Sequence, residues 1–134
     1  MGACIGVTID SSNSFRVAFN ATGSIAAEEP SEYAFLITCA LACAPIMGKQ
    51  IAWIGGGFCI GPRLFIGAKS TVFEIEPDLR EFCPEGVEFV AGDWRDTISG
   101  KFDIVIFHLG GDVPYFVLEK HLNPGGVILP KKEA

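Results

Sequence analysis

A run of glycines and an acid placed about twenty residues beyond it are the features of this chain whose types and spacing point to chemistry. Gly55-Gly56-Gly57 follows the apolar run Ile51-Ala52-Trp53-Ile54 and leads through Phe58-Cys59-Ile60-Gly61 to Pro62. Glycines let the backbone turn sharply and let a ligand approach main-chain N–H groups closely, and Pro62 suits the start of a following helix. The acid is Glu74, in Thr71-Val72-Phe73-Glu74-Ile75-Glu76-Pro77. It stands at the separation from which a carboxylate reaches a ribose diol. Taken alone, the glycine run also reads as a tight packing turn, and Glu74 as an acid facing solvent at a strand end. The pair at this spacing is a stronger signal than either. Glu74 is preferred to Glu76 because it lies between apolar neighbours, where an unpaired carboxylate is costly to bury.

A third cluster, Gly92-Asp93-Trp94, ends the next apolar run, Val87 to Ala91. On neighbouring strands of one sheet, Asp93 would face the same crevice, accepting a hydrogen bond from an adenine amino group while Trp94 walls the ring. The competing role for Asp93 is to cap a short helix beginning at Trp94.

The elements that must position these groups follow from the hydrophobic pattern. Residues 51–54, 70–75, 87–91, 102–107 and 126–129 form short continuous apolar runs bounded by Gly, Pro or Asp, as strands buried on both faces do. Between them lie 62–67, 77–83, 94–99 and 114–122, of which the last reads best as a helix. The expected fold is α/β, a Rossmann-like doubly wound sheet of about five parallel strands with ligand loops at the strand carboxyl ends. Before it, residues 2–9 and 15–19 alternate around a polar turn and 24–27 adds a third extended piece, so residues 1–28 read as a β-hairpin ribbon. Glu28-Glu29-Pro30-Ser31-Glu32 opens an apolar helix assigned to 29–47, leaving 48–134 as the nucleotide-binding core of a single domain.

Composition narrows the partners. The 134 residues include 10 basic and 16 acidic side chains, a net charge of −6, and only Lys131 and Lys132 are adjacent basic residues, so no nucleic-acid footprint is expected. An acidic balance suits a cationic acceptor such as an amine, or is simply a solvated surface. The apolar stretch from Tyr33 to Met47 is broken by Pro45 and short for a membrane span. The N-terminus lacks a basic region before an apolar run, so no secretory signal is read. Five cysteines without a C-x-x-C pair read as reduced thiols in a cytoplasmic protein. Cys39 and Cys43 share a helix spacing, but with no further ligands nearby they read as small buried hydrophobes and no metal site is expected.

The phrases Ile54-Gly55-Gly56-Gly57, Phe73-Glu74-Ile75-Glu76-Pro77, Gly92-Asp93 and Phe102-Asp103-Ile104-Val105-Ile106 resemble the successive motifs of class I S-adenosylmethionine-dependent methyltransferases. They are most similar to the spermidine synthase, or aminopropyltransferase, branch of that superfamily. The resemblance covers most of the chain after about Phe15. It implies that Gly55, Gly56 and Gly57 line the tail of the cofactor, Glu74 the ribose, and Asp93 and Trp94 the adenine. The implied cofactor is S-adenosylmethionine or its decarboxylated form, with methylthioadenosine or S-adenosylhomocysteine as product. The implied reaction is aminopropyl or methyl transfer to a small acceptor. An aminopropyl transfer needs a group that orients a neutral amine and accepts its proton, and Asp112, His108 and Tyr33 are the candidates.

Departures from the family pattern bear on the reaction. Phe58-Cys59-Ile60 replaces an acid and further glycines, His108 stands where the family's catalytic loop begins with Asp, and Asp112 is one position out of register with that loop's second acid. His108 is either a base or a structural hydrogen-bonder. Asp112 is either catalytic or the cap of a helix at Pro114. Tyr33 on its apolar helix reads better as core. His121, near the last turn of the 114–122 helix, reads as complementing the helix dipole. An adenosyl-binding or regulatory protein without chemistry, and a nicotianamine synthase-like transferase, are the alternative readings. The edge left by a sheet ending at the fifth strand leads to the expectation of a homodimer.

Overall fold

A computed structural model describes residues 5–9, 15–19, 25–28, 45–57 and 59–132, the side chains of the first three stretches and of Ile60 and Leu64 excepted. The helix expected over 29–47 lies outside the described residues up to position 44, and Tyr33 with it. The chain divides into two compact units, Met1–Ala42 and Cys43–Ala134.

In the first unit, β1 (Ile5–Ile9), β2 (Phe15–Phe19) and β3 (Ile25–Glu28) form an antiparallel sheet in the order β1-β2-β3. Ile5 pairs with Phe19, Ile9 with Phe15, and Phe15 in turn with Glu28. This is the ribbon expected from the alternation of residue types.

The second unit is built on five parallel strands: β4 (Gln50–Ile54), β5 (Lys69–Glu74), β6 (Glu88–Ala91), β7 (Phe102–Phe107) and β8 (Leu122–Leu129). Their order is β6-β5-β4-β7-β8. The chain winds outward from β4 through β5 to β6, then crosses to the other side of β4 for β7 and β8. The winding direction thus reverses between β4 and β7. In open parallel sheets of this kind, a crevice forms at the strand carboxyl ends where the order reverses.

Strand burial explains why the apolar runs are continuous. Ile51, Ala52, Trp53 and Ile54 are all fully buried, because β4 is central and covered on both faces. On one face, Ala52, Ile54, Phe73, Val105, Phe107, Leu118 and Ile128 form a contiguous core, and Phe73 meets Phe102 edge to face at 6.1 Å. On the other, the Trp53 ring packs edge-on against Phe65 at 5.0 Å, and its Nε1–H donates to Ser70 Oγ at 3.0 Å. That bond satisfies the two polar atoms that this face would otherwise bury unpaired.

The connections are shorter than the sequence pattern indicates. Helix α1 spans Ile60–Leu64, beginning two residues before Pro62, which then sits in the first turn where no intrahelical N–H is required. A Cβ at Gly61 would collide with the Trp53 ring, so this glycine lets α1 lie on the sheet. Residues Pro77–Phe82 form a 3-10 helix, and α2 is a single turn, Trp94–Thr97. The segment 114–122, expected to be the best helix, is α3 (Tyr115–Leu118) followed by a 3-10 turn (Glu119–His121), since β8 already begins at Leu122. His121 Nδ1 lies 2.9 Å from the Gly100 carbonyl oxygen. At the same, amino-terminal end of the strands, the Asp103 carboxylate accepts from Gln50 N–H at 2.9 Å and Asn123 Nδ2 at 3.1 Å, joining β4, β7 and the irregular start of β8. Those bonds hold its pKa below the usual carboxylate value.

Candidate functional site

The carboxyl ends of β6, β5, β4 and β7 carry Asp93, Glu74, Gly55 and Leu109 in that spatial order. The end of each strand is tied to its neighbour: Gly55 N–H donates to Phe73 O at 2.9 Å, Gly92 N–H to Glu74 O at 3.0 Å, and His108 N–H to Ile54 O at 2.9 Å. These bonds hold the strand tips level, so their loops open on one crevice.

Each glycine of the turn answers a different demand. Gly55 (φ 83°) and Gly57 (φ 55°) lie in the left-handed region that favours glycine. Gly56 is needed for space, because a Cβ there would run into the side chain of Val72 on β5. Cys59 is the sole non-glycine with positive φ among the described residues, at 60°. Its thiol is fully buried, and desolvation foremost, with the nearby Cys83 thiol, pushes its pKa up to about 12.

Glu74 is only 7% exposed, and both its oxygens are engaged. Oε1 accepts Gly57 N–H at 2.9 Å and Oε2 accepts Glu76 N–H at 3.0 Å. The acid chosen from the sequence is therefore bound directly to the glycine turn chosen from the sequence. A carboxylate has about four acceptor positions, so each oxygen retains room for one more donor, the requirement of a vicinal diol.

Asp93 carries the capping role. Its Oδ1 accepts the backbone N–H of Arg95 at 3.0 Å and Arg95 Nε at 3.0 Å, and Oδ2 accepts Nη2 at 2.7 Å. The Arg95 side chain, and then its backbone N–H, hold the Asp93 pKa down at about 2. One acceptor position on Oδ2 remains for a further donor. Trp94 is half-buried and meets Phe107 edge to face at 6.2 Å. Gly55, Glu74, Asp93 and Trp94 line one cleft of about 160 Å³, closed further by Ile75 and Leu109. Sequence reasoning missed the last two, both more than half exposed; the signal for Leu109 was an apolar residue two positions after the strand at which winding reverses.

Of the candidate catalytic residues, the two that are described, His108 and Asp112, do not line this cleft. His108 stands at the tip of β7 and Asp112 is exposed in the loop beyond it, and neither is among the cleft's lining residues. Asp112 does not cap α3: Pro114 occupies the N-cap position, with no side-chain capping bond. Among the described residues, no group of three or more His, Cys, Asp or Glu could hold a metal ion, and no helix is long and apolar enough to cross a membrane. A larger cavity, about 590 Å³, lies toward the strand amino ends beside Gln50, Lys69, Glu88 and Lys101.

No protein-family model and no curated protein matches the sequence. Solved structures do match. A S-adenosylmethionine-dependent methyltransferase from Thiobacillus denitrificans, solved with S-adenosyl-L-homocysteine, aligns with a TM-score of 0.62 at 21% identity, over 71% of this chain and 46% of that one. This chain has the class I methyltransferase fold. A protein-L-isoaspartate O-methyltransferase aligns at 0.64 with 14% identity, over 92% of this chain and 40% of that one. The nicotianamine synthase MtNAS, a mutant solved with S-adenosylmethionine, aligns at 0.54 with 22% identity, over 72% of this chain and 44% of that one. The chain spans less than half the length of each of these proteins.

Proposed function

We propose that the cleft at the carboxyl ends of β4, β5 and β6 binds an adenosyl ligand of the S-adenosylmethionine type, and that the protein transfers a group from it to a small acceptor. The observation that carries this reading is the Glu74 carboxylate. It is buried, held by Gly57 N–H, and keeps one acceptor position per oxygen beside a cleft walled by Trp94. Ribose hydroxyls would donate to Glu74, the adenine would lie against Trp94, and its amino group would reach Asp93 Oδ2. When bound, the cofactor supplies an electrophilic carbon on a sulfonium, an inherently good leaving group. The chain's share of the work is then to align nucleophile and electrophile. Aminopropyl transfer, as in the spermidine synthases, is the finer form of this proposal. In it Asp112, His108 or Tyr33 accepts the amine proton.

The second reading, an adenosyl-binding protein without transfer chemistry, is favoured by a specific observation: neither His108 nor Asp112 lines the cleft. A cytoplasmic setting belongs to both readings, supported by the reduced thiols of Cys59 and Cys83. A homodimer is also part of the proposal, although β8, an end strand of the sheet, carries Pro124 and a register irregularity that make it a poor template for strand pairing.

Calorimetric titration with S-adenosylhomocysteine, methylthioadenosine, S-adenosylmethionine and NAD tests the site. Glu74→Ala should weaken the adenosyl ligand by about tenfold or more, the scale of losing charge-assisted hydrogen bonds. Unchanged affinity in the variant would remove Glu74 from the site. Product analysis with putrescine and other amines then separates transfer from binding alone.

A further inference from the structure

Beneath the glycine turn two free thiols meet. Cys59, the residue that leads from the turn into α1, is fully buried, and its thiol is hydrogen-bonded to that of Cys83. Cys83 follows the 3-10 helix Pro77–Phe82, is half-buried, and donates its own S–H to the Val87 carbonyl at 3.3 Å. With that proton committed to Val87, it is the Cys59 S–H that donates to the Cys83 sulfur. A second tie draws the two backbones together: Arg63 of α1 donates through Nη2 to Phe82 O at 2.8 Å, and its N–H bonds Cys59 O at 3.2 Å.

The backbone of Cys59 adds to this. At φ 60° it occupies the left-handed region that glycine enters freely and a side chain strains to hold. Glycine there would relax the turn but would remove the sulfur. Access to the two thiols is unequal, so a small hydroperoxide in solvent reaches Cys83 first. Attack by Cys83 Sγ breaks the O–O bond and leaves a sulfenic acid, the thiol proton departing with the released hydroxide as water. Cys59 Sγ then attacks Cys83 Sγ, the S–O bond breaks, and the Cys59 proton leaves with the hydroxyl as a second water. The thiols give up two hydrogens and two electrons, which the peroxide takes up. The hydrogen bond from Cys59 S–H to Cys83 already places the attacking sulfur and its proton beside the sulfur that is attacked.

We propose that Cys59 and Cys83 are a redox-active pair that closes to a disulfide when a hydroperoxide oxidises Cys83, and that closure draws the glycine turn away from Glu74. The sulfurs must approach to about 2.05 Å, inside their hydrogen-bond contact. Cys59 N–H is tied to Gly56 O at 3.0 Å, so the movement passes into the turn and takes Gly57 N–H off Glu74 Oε1. Oxidation thereby reaches the cleft through the carboxylate that the turn orients, whatever the cleft binds. Transient disulfides of this kind are the ones that occur in reducing compartments.

Treating the reduced chain with hydrogen peroxide, blocking the remaining thiols and mapping tryptic peptides by mass tests the pair. A disulfide joining peptides 50–63 and 81–95 is expected in the wild type, whereas Cys83→Ser should keep Cys59 as a free thiol. Burial foremost raises the Cys83 pKa and the thiolate is the nucleophile, so closure should run about tenfold faster or more at pH 9 than at pH 7. In amide spectra of the oxidised chain the Gly57 resonance should move and return on reduction, while that of Gln50, at the far end of β4, stays in place. Peroxide that leaves both peptides as thiols, links either to Cys4, Cys39 or Cys43, or oxidises Cys59 in Cys83→Ser would overturn the pair. A closed disulfide with an unmoved Gly57 amide would overturn its reach to Glu74.

Discussion

Glu74 both braces the fold and faces the cleft, and the two roles use different lone pairs. Two backbone N–H groups take one position on each oxygen, which orients the carboxylate before any ligand arrives. Asp93 is more heavily committed, with three bonds to Arg95 and a pKa near 2. Because that pKa lies below its unfolded value, the cap on α2 is fully present above about pH 4 and is lost as the pH falls toward about 2. A carboxyl carbon NMR titration should find Asp93 with a midpoint near about 2 in the wild type, returning toward about 4 in Arg95→Ala. A wild-type midpoint near 4 would show that the Arg95 clamp does not form in solution. Legibility at this scale was uneven. Glu74 and the glycines were readable from spacing, whereas the Asp93 clamp was not, because it depends on the rotamer of an exposed arginine two residues away.

At the level of elements, the glycine turn is held by contacts that tolerate little change. Gly56 is pressed against Val72, so Gly56→Ala should destabilise the protein by about 1–3 kcal/mol, as overpacking does, seen as a lower urea midpoint at unchanged slope. An unaffected midpoint would mean that β5 yields easily. Cys59 continues the same turn with a buried thiol whose pKa is raised to about 12. The unfolded chain ionises this group first, so its contribution is complete below about pH 9 and is lost as the pH rises toward about 12. Wild type should therefore lose stability more steeply than Cys59→Ala across that range in denaturant titrations. Peptide-resolved alkylation at pH 8 should find Cys83 modified well before Cys59. The strands themselves were legible because burial on both faces leaves a continuous apolar run that turn residues bound cleanly. The helices were not. Residues 114–122 have the composition of a longer helix, but β8 begins at Leu122 before it can extend.

Over the whole α/β unit, one reversal of strand order does most to define function, since it places the tips of four strands around one crevice. The parallel sheet could be anticipated from alternating strands and crossovers, and the convergence of Glu74 with the glycine turn followed from their spacing. Leu109 could not be anticipated, because its contact with Gly55 exists only once β7 lies beside β4. Nor did the sequence disclose that Asp112 and His108 stay out of the cleft lining, since the residues beyond β7 carry few constraints of their own. The account's central claim is that the small cleft at the strand carboxyl ends, rather than the larger cavity near the amino ends, takes an adenosyl ligand. Amide chemical-shift mapping with methylthioadenosine tests it most directly. Shifts confined to Gly55, Gly57, Glu74, Asp93, Trp94 and Leu109 are predicted, and shifts gathered instead at Gln50, Lys69, Glu88 and Lys101 would contradict it.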